Sequence, residues 1–147
     1  MPLQPDCCAA THSGGKGAKV QTSGLNHIIL TISDLTRARE FYGGLLDFEL
    51  KNIHDGFYFV SGGVAFFFFP SSKPLPTDRF SEFRIGLDHL AFTAPSETAL
   101  HALADKLIEA GVETKGVEVY FTGNKYVAFR DPDNIQLEYW LPESAGR

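Results

Sequence analysis

The chain has 147 residues, 44% hydrophobic and 21% charged, the balance of one domain able to bury a core without disulfides or a structural metal. Its net charge of −5, with Lys and Arg scattered along the sequence, excludes the basic footprint of a nucleic-acid binder or a membrane-surface helix. No apolar run reaches the roughly 20 residues of a transmembrane helix. Cys7 and Cys8 are the only cysteines and are adjacent, a poor geometry for a bridge, and the cysteine-free remainder fits a reducing cytoplasm.

Residues 1–23 are rich in Gly, Ser and Thr and lack the apolar core of a signal peptide, so they read as a flexible tail that includes the Cys pair and His12. Residues 144–147 read as a short C-terminal tail. Between them, "LNHIILTI" is β-branched and apolar, which predicts a strand. Asp34 then caps a helix carrying Leu35, Ala38, Phe41, Tyr42, Leu45 and Leu46 at helical spacing. "DFELKNI" resumes extended structure, and "FYFVSGGVAFFFFP" predicts two strands joined at Ser61-Gly62-Gly63. The proline- and serine-rich residues 71–85 form a linker. From residue 86 the pattern repeats: a strand in "GLDHLAFTA", a helix in "SETALHALADKLIEAG", then extended segments near 115–121, 125–130 and 134–141. Gly24-Leu25-Asn26-His27 corresponds to Gly86-Leu87-Asp88-His89, so the domain at 24–143 reads as two copies of one unit, about 24–70 and 86–141. The expected class is α+β, two βαβββ modules forming a curved mixed sheet or half-barrel.

Alternation then sorts the polar residues onto faces. His27 shares a face with Ile29 and Thr31, His89 with Ala91 and Thr93, and Glu138 with Gln136 and Trp140. A single strand histidine is more often a satisfied structural side chain than a ligand, and a lone strand glutamate more often pairs with a cation such as Arg130. Here, however, the two histidines occupy the same position of two repeats and a carboxylate stands on a third strand. Two imidazoles and a carboxylate are the donor set of an open divalent-metal site.

The stretches "LNHIILTISDLTRAREFYGGLLDFEL", "GLDHLAFTA" and "YVAFRDPDNIQLEYW" resemble the vicinal-oxygen-chelate superfamily, which includes glyoxalases, bleomycin resistance proteins and extradiol dioxygenases. The resemblance spans residues 24–141. It implies paired βαβββ modules, metal ligands at His27, His89 and Glu138, with Glu138 also catalytic, and a cofactor that is Fe, Mn, Zn, Ni or Co. It implies a small oxygen-bearing substrate that chelates the metal, in a lyase, isomerase or dioxygenase reaction. The alternative is a metal-free drug-binding module of the bleomycin-resistance type, in which the metal positions are typically replaced. Family habit also implies a homodimer in which modules of different chains complete each half-barrel. Members with four ligands, glyoxalase I among them, carry a further Glu on the fourth strand; "VAFFFFP" has none, which argues against isomerisation of a glutathione hemithioacetal. Thr31, Phe67, Phe69, Tyr126, Arg130, Gln136 and Trp140 are the expected substrate-facing side chains, making a mostly aromatic cavity. Asp47 and Asn134 stand where the superfamily often has Gly, and both residue types tolerate left-handed backbone.

Overall fold

A computed structural model describes residues 21–143; the two expected tails, with Cys7, Cys8 and His12, lie almost wholly outside the described residues. Strand β1 (His27–Ile32) leads to Asp34, whose carboxylate accepts from the Arg37 amide at 2.7 Å and caps helix α1 (Leu35–Arg39). The helix does not continue regularly, as its spacing predicts. It opens into a π-helical turn over Glu40–Leu45, in which the Leu46 amide reaches back to the Phe41 carbonyl at 3.0 Å. Gly43 lies in that turn because a Cβ there would fall 2.7 Å from Leu50 Cδ1.

Three strands follow, β2 (Lys51–Ile53), β3 (Gly56–Ser61) and β4 (Val64–Pro70). They join β1 in a four-stranded sheet of order β1-β4-β3-β2, with β1 and β4 parallel. The second half repeats the plan: β5 (Leu90–Thr93), α2 (Glu97–Glu109, capped by Ser96), β6 (Thr114–Val119), β7 (Lys125–Arg130) and β8 (Gln136–Leu141). Its order, β5-β8-β7-β6, is that of the first sheet. The expected repeat is therefore two equivalent sheets. The last strand starts later than alternation predicts because Asn134 adopts φ 71° and the Asp131 amide donates to the Ile135 carbonyl, closing a turn over 131–135. Asp47 likewise adopts φ 59°.

The phenylalanine run divides as alternation requires. Phe66 and Phe68 are buried and stack on Phe59 and Phe57 with ring centroids 5.1 and 4.6 Å apart. Phe92 of the second sheet packs against Phe59 and Phe66, and Phe129 against Phe41. One core thus joins the inner faces of both sheets, and the opposite face of each sheet is left open. Open-face residues Ile29 and Val60 are 57% and 56% exposed.

The "DPDN" turn ties the halves together. Asp131 is buried; its Oδ1 accepts from the Asp133 and Ile135 amides at 2.9 and 2.7 Å, and its Oδ2 from the Tyr42 hydroxyl at 2.9 Å. Asp133 Oδ2 accepts from the Ser33 amide at 2.9 Å. Asp131→Ala leaves three donors without their acceptor, two of them at the turn that sets β8, and should lower the unfolding free energy by roughly 2–4 kcal/mol, read as a shifted denaturant midpoint. Asp131→Asn, which retains an acceptor oxygen for the amides, should cost less. Burial pushes the Asp131 carboxyl up from 3.8 to about 6, against the pull of the Ile135, Tyr42 and Asp133 hydrogen bonds. The native state therefore favours the protonated form. Its contribution to stability is fully present below about pH 4 and is lost as pH rises through about 6, a slope that Asp131→Asn should remove.

Candidate functional site

The registers place the candidate residues on the two open faces. On the first sheet, His27 lies opposite Ala65, Ile29 opposite Phe67, and Thr31 opposite Phe69. Tyr58 pairs with Phe67 and stacks on it at 5.1 Å. The β4 positions on this face are Ala65, Phe67 and Phe69, so no fourth-strand donor faces His27. Phe69 lies across Gly56, where an added Cβ would meet its ring at 2.7 Å, and this glycine is what lets the ring spread over the sheet. The His27 ring meets the Phe67 ring edge-on at 5.9 Å.

On the second sheet, Glu138 lies opposite Ala91 and Ala128, two small residues that leave space around its carboxylate. Gln136 lies opposite Arg130, and Trp140 opposite Thr93 and Tyr126. Tyr126 and Trp140 stack at 5.8 Å, and Tyr120 closes against the indole at 5.3 Å. His89 precedes the first residue of β5, and its Nε2 lies 3.6 Å from Glu138 Oε2. That imidazole and carboxylate are brought together as the repeat suggests. His27 is not: among the described residues no three histidine, cysteine or carboxylate side chains are grouped to share an ion. The reason is topological. Each repeat forms its own sheet, and His27 and Glu138 lie on the open faces of different sheets, opposite the shared core.

Both histidines are oriented by the residue before them. His27 Nδ1 is 2.8 Å from Asn26 Oδ1, and His89 Nδ1 is 2.5 Å from Asp88 Oδ1. An oxygen acceptor at Nδ1 puts the ring hydrogen there and leaves Nε2 with its lone pair outward, the form in which imidazole binds metal. The chemistry of the donor set therefore fits a divalent first-row ion. His89 and Glu138 supply two donors in one chain, and His27 presents a third on the other sheet. Among the described residues the other histidines stand apart: His54 is in a turn at φ 36°, and His101 is exposed on α2 beside Glu97.

Arg130 does not pair with Glu138. Its Nη1 and Nη2 donate to Glu82 Oε2 and Oε1 at 3.0 and 2.5 Å, and Nη1 also reaches the Asn134 carbonyl at 3.2 Å. This guanidinium fork holds the Glu82 carboxyl down at about 2. Sequence reading missed Glu82, which sits in a linker with no periodicity to mark it. The Asx-His pairs, by contrast, were visible in the repeat.

Residues 24–139 match the Glyoxalase/Bleomycin resistance protein/Dioxygenase superfamily. The chain belongs to that superfamily. The uncharacterized Bacillus subtilis protein YqjT is 28% identical over 126 residues, 80% of this chain and 98% of YqjT. The glyoxylase/bleomycin resistance protein/dioxygenase domain from Frankia sp. EAN1pec superposes with a TM-score of 0.72 at 31% identity, covering 84% of this chain and 100% of that one. The genomically encoded fosfomycin resistance protein FosX from Listeria monocytogenes shares the fold, with a TM-score of 0.65 at 22% identity over 84% of this chain and 97% of that one. Among the described residues no helix is long and apolar enough to cross a membrane.

If Asp88 sets the His89 tautomer, nitrogen chemical shifts of metal-free protein should show His89 protonated at Nδ1 when neutral. Asp88→Ala should move the population toward the Nε2-protonated form, with His27 unchanged as the internal control.

Proposed function

We propose that the protein is a divalent-metal-dependent enzyme whose site is completed by two chains, with His89 and Glu138 from one and His27 from the other. The observation that carries this reading is the approach of His89 Nε2 to Glu138 Oε2 at 3.6 Å on an open face, while His27 lies on the open face of the other sheet and is not grouped with them. A second copy laid across the open faces would cover Ile29 and Val60 and supply the missing imidazole. When bound, the ion supplies a Lewis acid for an oxygen of the substrate. Glu138, the carboxylate beside His89, holds or returns a proton at its Oε2 during the reaction. Phe67, Phe69, Tyr126 and Trp140 surround a small, largely apolar substrate and exclude water from it, and Thr31 and Gln136 orient it by hydrogen bonding.

Within the superfamily the reading favours lyase, isomerase or dioxygenase chemistry over glyoxalase I isomerisation, since Ala65, Phe67 and Phe69 supply no fourth-strand base. A cytoplasmic location belongs to the same reading and rests on the absence of cysteine beyond residue 8.

Protein purified without added metal should carry near-stoichiometric divalent ion and sediment as a dimer, and His27→Ala, His89→Ala and Glu138→Ala should each lose the ion. Mixing His27→Ala with His89→Ala under subunit exchange should restore about one quarter of the metal, because each mixed dimer keeps one intact set. A monomer with trace metal in parent and variants alike would favour the metal-free binding module instead.

A further inference from the structure

The linker residue Glu82 lies against the same open face as Glu138, and three observations make it part of that face. First, the linker is stitched to the "DPDN" turn: the Phe80 amide donates to the Asp133 carbonyl at 3.1 Å, and Asn134 Nδ2 donates to the Phe80 carbonyl at 2.8 Å. Two residues later, Glu82 arrives on Arg130 in a held position. Second, the contact is bidentate and partly sheltered, with the side chains of Arg130 and Glu82 33% and 15% exposed. With the Asn134 carbonyl also accepting from Nη1, the end-on edge of the guanidinium is taken and its charge is already paired when another carboxylate or phosphonate approaches. Third, the pair lines a cleft of about 570 Å³ that also takes in Glu118, Ala128 and Gln136. Ala128 and Gln136 continue along β7 and β8 to Glu138.

The charges on this face follow. Arg130 is neutralised by Glu82. Glu113 also lines the cleft, Glu118 keeps only a 3.9 Å approach from Lys115, which is 83% exposed, and among the described residues Glu138 is approached by His89 and by no Lys or Arg. On the first sheet's open face Lys51 is the cation, on the edge strand farthest from β1.

We propose that Glu82 is a specificity-determining residue: by filling the fork of Arg130 it turns anionic substrates away from the cleft. The proposal deepens the reading of this face as a substrate site, but it rests on the ion pair and not on the metal.

The test uses two ring compounds of nearly equal shape, benzoate and benzamide, titrated into the full-length protein with EDTA present so that no ion contributes. Isothermal titration calorimetry reads binding of each compound directly. Glu82→Gln keeps the size of the side chain and removes its charge. It should tighten benzoate at least tenfold relative to the parent while changing benzamide less than twofold. Adding Arg130→Met to Glu82→Gln should abolish the gain. Circular dichroism and melting of each variant confirm that the fold is kept, and Glu82→Ala provides a second charge-removing variant. Benzoate binding that is equal in parent, Glu82→Gln and Glu82→Ala, or absent from all three, would overturn the proposal. So would a gain that survives Arg130→Met. Loss of the metal reading in the separate metal assay would leave this result untouched.

Discussion

The carboxylate of Asp131 is held from three directions: by two amides of its own turn and by the hydroxyl of Tyr42, 89 residues earlier in the chain. Its neighbour Asp133 reaches the amide of Ser33, just past β1. The turn that aims β8, and with it Glu138, is therefore pinned to the first module. Water is excluded there, so the acceptor cannot be replaced by solvent without opening the core. Tyr42 in the π-helical turn, Ser33 after β1 and the aspartates before the last strand are distant in sequence but form one hydrogen-bonded unit.

That link, together with the aromatic core, fixes where chemistry can occur. Phe57, Phe59, Phe66, Phe68, Phe92 and Phe129 fill the space between the modules, so the inner face of each sheet is committed to packing. Period-two alternation then assigns His27, Gln136, Glu138 and Trp140 to the open faces.

Most of this was legible in the sequence because it depends on period and repetition. The sheet faces, the division of the Phe run, the capping Asp34 and Ser96, and the left-handed Asp47 and Asn134 all follow from local rules that the structure keeps. The π-helical turn at Glu40–Leu45 was not legible: the apolar spacing of the segment reads as regular helix, and the close approach of Leu50 to Gly43 is a tertiary contact that no local rule carries. The direction in which the two sheets face was not legible either. Alternation says which residues share a face, but not whether two faces meet. Asp88 and Asn26 were visible as part of the repeat, and only the geometry at Nδ1 gives them a purpose.

Arg130 shows how a nearby linker changes the meaning of a strand residue. By its place in β7 it reads as a cation beside Gln136, open to a substrate anion or to Glu138. Glu138 is two positions along the neighbouring strand from Gln136, however, while Glu82 is delivered directly onto the guanidinium by a linker already fastened to the same turn that Asp131 builds. A carboxylate held in place loses little conformational entropy on pairing, whereas an incoming anion must give up translation as well. Free anions at ordinary concentrations therefore compete poorly for Arg130. The turn that positions Glu138 also positions the linker that neutralises its cationic neighbour, so orientation of the carboxylate and the charge of its surroundings derive from one piece of backbone.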